Sequence, residues 1–218
     1  METLSDLEPA WHEAFQLAWE AYGAGTIPVG AVVTGADGAV LCRGRNRMFA
    51  TSAPPGEIFG SRVAHAEINA LVQLGTERRY FDCMLWTTLE PCAQCIGAAW
   101  LSTIGRVSFA ATDVYGGASK LIERQIEAAD SARSFHMEVE GPLEGPPAVF
   151  SELLQVAFFL DRDRTHHVLD TFRQRRPEVV ELAERLELRG HADESLDDVL
   201  RRIWDDMGNL EARTRVGL

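Results

Sequence analysis

Two short stretches hold residues whose types and spacing could do chemistry: His65-Ala66-Glu67 and Pro91-Cys92-Ala93-Gln94-Cys95, whose first cysteine lies 27 residues beyond His65. One imidazole and two thiols three apart suit zinc. Three protein ligands leave the fourth tetrahedral position open, as a catalytic Zn2+ needs and a structural one does not. Glu67 adds a carboxylate that can take a proton from water and return it to a leaving group. Each half alone has a plainer meaning. A Cys-x-x-Cys pair serves as a redox couple or as half of a structural zinc site, and a single His is usually a satisfied core residue. A structural site needs a fourth ligand, whereas the other cysteines, Cys42 and Cys83, fall in expected strands as small core residues. The combination favours zinc on His65, Cys92 and Cys95, with Glu67 as the proton shuttle.

The flanking pattern places both motifs at helix starts. Cys92 and Cys95, at i and i+3 in a first turn, face the same way. The unpaired amides and partial positive charge of a helix N-terminus favour thiolate over thiol. Apolar residues at helical spacing predict a helix from Pro9 to Tyr22, stopped by Gly23 and Gly25. A buried strand, Ile27 to Val33, then turns at Asp37-Gly38 into an antiparallel strand, Ala39 to Gly44. Residues 48–64 read as a long irregular loop that delivers the chain to His65, followed by a helix from Ala66 to Leu74. A strand from Cys83 to Leu89, a helix from Cys92 to Leu101 and a strand from Gly105 to Ala110 come next. A helix around Ala118 to Ala129 and a fifth strand, Phe135 to Val139, complete the alternation.

This order implies an α/β protein, a three-layer α/β/α arrangement around a five-stranded mixed sheet. The Gly- and Pro-rich stretch from Gly141 to Pro147 marks a shift. The expected division is a catalytic domain over 1–145 and a C-terminal helical extension over 146–218. Four helices are expected in that extension: Val149–Leu160, Thr165–Gln174, Pro177–Leu188 and Ser195–Met207.

The chain has 21 basic and 33 acidic side chains, a formal charge of −12. A field of that sign repels phosphate backbones and makes nucleic acid a poor general partner. Residues 146–218 share the bias, with 11 basic and 15 acidic side chains. No apolar run reaches the ~20 residues of a membrane helix, no signal segment is visible at the start, and free thiols fit a cytoplasmic setting.

The His-x-Glu and Pro-Cys-x-x-Cys pair is the signature of zinc nucleobase deaminases, and residues 9–130 resemble the cytidine deaminase superfamily. The resemblance runs through Ile27-Pro28-Val29-Gly30-Ala31-Val32, Arg45-Asn46-Arg47, His65 to Leu71 and Leu85 to Cys95. It is nearest to the branch of tRNA adenosine deaminases and bacterial guanine deaminases. It implies hydrolytic loss of ammonia from an amino-heterocycle, with Asn46 and the Ala66 amide bonding substrate and Val29 packing on the base. Asp113 matches an acidic loop position that contacts substrate in some relatives, or is simply a turn residue. Tyr115 is a candidate to stack on substrate or to bound it. Glu90 is expected to tie the strand–helix turn together.

Where that branch carries an Asp-Pro-Thr-like segment before His-Ala-Glu, this chain has Gly60-Ser61-Arg62-Val63-Ala64, and its tail is acidic. Both departures point to a small-molecule substrate, a nucleobase or nucleoside and a purine before a pyrimidine. A tRNA adenosine deaminase is the alternative, and a zinc-bearing scaffold without catalysis is the reading from another class. A homodimer is expected from the resemblance. His12, His136, His166, His167 and His191 are expected to lie away from the motifs.

Overall fold

The computed structural model describes residue 4, residues 7–121 and residues 135–216. In chain order these form α1 (Pro9–Gly23), β1 (Gly30–Thr34), β2 (Val40–Arg45), α2 (Ala66–Leu71), β3 (Met84–Leu89), α3 (Ala93–Leu101), β4 (Arg106–Ala111) and β5 (Glu138–Glu140). Four further helices follow: α4 (Pro146–Arg162), α5 (His167–Arg175), α6 (Pro177–Leu186) and α7 (Leu196–Val216), with a 3-10 turn at Leu188–His191. Most of the helix expected around Ala118 to Ala129 lies outside the described residues.

The five strands form one mixed sheet in the order β2-β1-β3-β4-β5. β1 is antiparallel to both β2 and β3, while β4 and β5 run parallel to β3. Every residue of β1 is buried, which explains its unbroken apolar run, while edge strand β2 alternates buried with exposed positions.

Helices cover both faces. On one face α2 and α3 pack over Ala31, Val33, Leu85 and Val107. On the other, Trp11, Phe15 and Trp19 of α1 share a core with Phe150, Leu153 and Leu154 of α4. That core continues outward into α5, α6 and α7. α4 is buried at 13 of its 17 positions, so it is an interior helix between sheet and outer helices rather than an amphipathic cap. Ser151 of α4 donates to the Thr88 carbonyl, and Gln155 Nε2 donates to the Pro28 carbonyl at 3.2 Å. These bonds fix α4 against the sheet end that carries the site.

Because β3 is antiparallel to β1 but points the same way as β2 and β4, four chain segments meet at that end. They are the approach to β1 at Val29 and the exits of β2 at Asn46, β3 at Glu90 and β4 at Asp113. Ligands of open α/β sheets sit at the carboxyl ends of the strands. One glycine sets how closely α2 approaches. A Cβ on Gly44 of β2 would lie 2.3 Å from the Ala66 carbonyl oxygen and 2.4 Å from the Ala70 nitrogen. With no side chain there, α2 presses its first turn directly onto the sheet.

Candidate metal centre and substrate pocket

His65 and Cys92 occupy equivalent places, each an extended residue capping a helix that starts one residue later. The helix after Pro91 therefore begins at Ala93, with Cys92 outside it, and α2 ends at Leu71 where the chain passes into turns. Glu67 is the second residue of α2 and Cys95 the third of α3. The two helix N-termini converge, and His65 Nδ1 lies 3.6 Å from Cys92 Sγ and 3.4 Å from Cys95 Sγ, with the sulfurs 3.6 Å apart.

Zinc bonds of ~2.3 Å to sulfur and ~2.0 Å to nitrogen at tetrahedral angles would set sulfurs about 3.8 Å apart and sulfur and nitrogen about 3.5 Å apart. The three donors already have that spacing, and His65, Cys92 and Cys95 fit a zinc site. The Arg62 backbone carbonyl bonds the His65 ring, which orients it as metal-bound histidines commonly are.

The charges are set up for a cation. The hydrogen bond from Cys95, and then His65, hold the Cys92 thiol down at about 4. Its bond to Cys92 and its burial push Cys95 the other way. The bond to Cys92 raises His65. Glu67 is 4% exposed, and burial raises its carboxyl above the ordinary range although the nearby His65 opposes this. The Thr87 hydroxyl lies 3.3 Å from Glu67 Oε1 and fixes its orientation.

His65, Glu67 and Cys92 floor a cavity of about 590 Å³ that also takes in Val29, Asn46, Asp113 and Tyr115. The Asn46 carboxamide oxygen accepts from the Thr26 hydroxyl and the Met48 amide, both at 2.9 Å. What Asn46 has left to offer a ligand is its Nδ2 donor pair. Asp113 Oδ1 accepts from the Tyr115 and Gly116 amides at 2.9 and 3.0 Å, the turn role, while the residue also lines the cavity. Glu90 ties the same loop down, accepting from the Asp113 amide and from the Ser119 amide and hydroxyl. A Cβ on Gly117 would lie 2.2 Å from Glu90 Oε2, so glycine makes room for that clamp.

The loop over 48–64 is held at its middle. Asn69 of α2 accepts from the Ile58 amide and donates to the Ile58 and Arg45 carbonyls. Arg47 forms a nearly buried ion pair with Glu57.

The expectation that His166 and His167 lie away from the motifs is corrected. The turn between α4 and α5 folds back over the sheet end, and both rings line the cavity with Gln155 and Phe159 of α4 and Phe172 of α5. His167 Nε2 is 2.7 Å from the Tyr115 hydroxyl. Sequence spacing hid these contacts, since His167 lies 52 residues beyond Tyr115. The available signal was the dense apolar content of Val149 to Leu160, broken only by Ser151, Glu152 and Gln155, which demanded cover on several sides. His12 and His191 do form surface pairs elsewhere, with Asp197 and Glu194.

Residues 4–111 match the family model described as the cytidine and deoxycytidylate deaminase zinc-binding region. A cytosine deaminase of Candida albicans is 32% identical over 120 residues, 54% of this chain and 75% of that protein. The chain belongs to this deaminase family. A tRNA(Ile)-lysidine synthase of Deinococcus radiodurans is 41% identical over 116 residues, 51% of this chain and 18% of that protein. A second such synthase, from Deinococcus deserti, is spanned over 20% of its length. The chain thus covers about a fifth of these two relatives. A tRNA-specific adenosine deaminase of Bacillus subtilis is 36% identical over 111 residues, 49% of this chain and 63% of that protein. Among solved structures, a guanine deaminase from Bacillus subtilis shares 28% identity over 64% of this chain and 84% of that one, with a TM-score of 0.43. No described helix is long and apolar enough to cross a membrane.

Proposed function

We propose that this chain is a zinc-dependent hydrolytic deaminase of a small amino-heterocycle, a purine base or nucleoside. The observation that carries the reading is the placement of His65, Cys92 and Cys95 at ligand spacing, with the buried carboxyl of Glu67 lining the same cavity as His65 and Cys92. Zinc held there supplies a Lewis acid that makes water nucleophilic at neutral pH.

Everything else falls to the chain's own side chains. Glu67, with its carboxyl raised by burial, takes one proton from water and delivers it to the ring nitrogen, then carries a second from the added hydroxyl to the amine, which leaves as ammonia as the carbonyl forms. The first-turn Ala66 amide, which has no partner within its helix, is the group the family resemblance assigns to the ring edge, although Ala66 itself is buried and does not line the cavity. Asn46 donates through Nδ2, and Val29 and Leu89 give the flat ring apolar walls. Asp113 and Tyr115 border the outer part of the substrate.

A small substrate is supported by the C-terminal segment, which walls the cavity with α4 and α5, and by the charge of −12. We take residues 1–145 as the catalytic domain, with 146–218 packed on it. We take the working form as a cytoplasmic homodimer, so a monomer at micromolar concentration in solution would count against that part.

A second reading has its own support: relatives named tRNA(Ile)-lysidine synthase and tRNA-specific adenosine deaminase each match about half of this chain. A tRNA adenosine deaminase would bind tRNA with a steep salt dependence. Ammonia release measured across purines, pyrimidines, nucleosides and an anticodon-arm RNA, with Glu67→Ala as control, decides between them. Turnover of a free base or nucleoside, lost in the control, supports the first reading. Turnover of RNA alone replaces it with the second. Release undiminished in the control removes Glu67 from the chemistry.

A further inference from the structure

Four rings stand in a row along the cavity's outer wall. Phe159, at the end of α4, stacks on His166 with centroids 4.4 Å apart and planes at 20°. His166 stacks on His167 at 4.3 Å and 26°. His167 meets the Tyr115 ring at 4.9 Å, and its Nε2 lies 2.7 Å from the Tyr115 hydroxyl. Phe159 is buried while Tyr115 is 58% exposed, so the row runs from the core to the mouth. It also joins the C-terminal segment to the loop after β4.

Packing alone does not account for the polar edge of this row. His166 Nδ1 accepts from the Val168 amide at 3.3 Å, which leaves Nε2–H as a donor. The Tyr115–His167 pair uses one donor and one acceptor on each other and keeps a donor and further acceptor sites. The wall therefore offers donors and acceptors side by side, matching hydroxyl groups, which need both. The floor is different in kind, since it presents apolar Val29 and Leu89, the Asn46 donor and the reacting groups. A cavity of about 590 Å³ has room for more than a bicyclic ring, since clefts of ~300–1,000 Å³ hold drug-sized ligands. Arg62 also lines the cavity, but the carboxylates of Asp113 and Glu90 and the overall charge of −12 weigh against phosphate.

We propose that the row Phe159–His166–His167–Tyr115 is the specificity-determining wall of this site. It reads a neutral, hydroxylated group attached to the heterocycle, so that a nucleoside is preferred to the free base and to the nucleotide. This rests on the deaminase reading above. These residues position the substrate and stay clear of the reacting atoms.

The test compares a purine base, its nucleoside and the 5′-monophosphate on the zinc-loaded protein and on its His167→Ala, His166→Ala and Tyr115→Phe variants. Steady-state kinetics is joined by equilibrium binding of base and nucleoside in a Glu67→Gln background, which needs no turnover. Loss of a neutral hydrogen bond predicts that the nucleoside-to-base ratio of kcat/KM falls about ten-fold in His167→Ala, chiefly through KM. Nucleoside binding to the Glu67→Gln protein weakens in step. Tyr115→Phe, which removes one oxygen, gives the same direction if the alanine variants fold poorly. Preference for the base or the nucleotide in the parent protein overturns the proposal, as does a ratio unmoved by all three substitutions. If no compound releases ammonia, the deaminase reading falls; nucleoside binding that still depends on His167 would then uphold the wall, and nucleoside binding that does not would overturn it.

Discussion

The floor and the mouth of the pocket are built by different means. The floor comes from backbone. His65 and Cys92 cap two helices, Glu67 and Cys95 sit in their first turns, and Gly44 lets α2 settle onto β2. Few positions there can change without moving a helix. The mouth comes from side chains on a loop, a turn and the end of α4, drawn from segments far apart in sequence and held by single contacts such as Tyr115 to His167. The difference separates two properties. In the function proposed above, the reaction is tied to the sheet and its helix N-termini, while selectivity is assigned to side chains outside them.

Cys95→Ala should show the largest effect. It should remove zinc, as read by metal analysis, and lower kcat/KM by ~10³ or more, as expected when the group that activates water is lost. Stoichiometric zinc in that variant would break the assignment of the floor. Gly44→Val tests whether backbone approach matters as claimed. A side chain driven into the α2 backbone should cost about 3 kcal/mol in denaturant unfolding and weaken zinc retention, while a variant of parent stability would contradict the packing.

Glu152 probes the support of the mouth. It lies on α4, paired with Arg176 at 2.9 Å, and burial holds its carboxyl up at about 7 against an unfolded value of 4.5. A carboxyl raised on folding binds its proton more tightly in the native than in the unfolded state. Stability should therefore fall as pH rises from about 4.5 through 7. Glu152→Gln should shrink the stability difference between pH 4.5 and pH 8 by about 3 kcal/mol, and an unchanged pH slope would refute this. The smallest effect is expected at Gln155, whose bond to the Pro28 carbonyl ties mouth to floor. Gln155→Ala should cost about 1–2 kcal/mol and raise KM several-fold with zinc content unchanged. Loss of zinc there would show that the two regions are not separable.

The same contrast governs how much could be read from the chain. Donors at the floor are rare residue types at fixed local spacing, so His65, Glu67, Cys92 and Cys95 were legible, and the alternation of apolar segments gave the sheet and its helices. Boundaries moved where local turns intervened. β1 starts at Gly30 because the Val29 amide first bonds the Ile27 carbonyl, and α2 yields after Leu71 to turns closed by Gln73 and Leu74. His166 and His167 were misplaced for a physical reason. Their contacts to Phe159 and Tyr115 depend on how α4 lies on the sheet, which the Ser151 and Gln155 bonds decide. Neither bond leaves a periodic trace in the sequence.

The most direct test of the central claim joins zinc content with ammonia release in Glu67→Gln. A glutamine keeps the shape and cannot carry the proton. The account predicts full zinc occupancy, nucleoside binding close to the parent's and a fall in kcat of about 10²–10⁴. Parental turnover with zinc in place would contradict it.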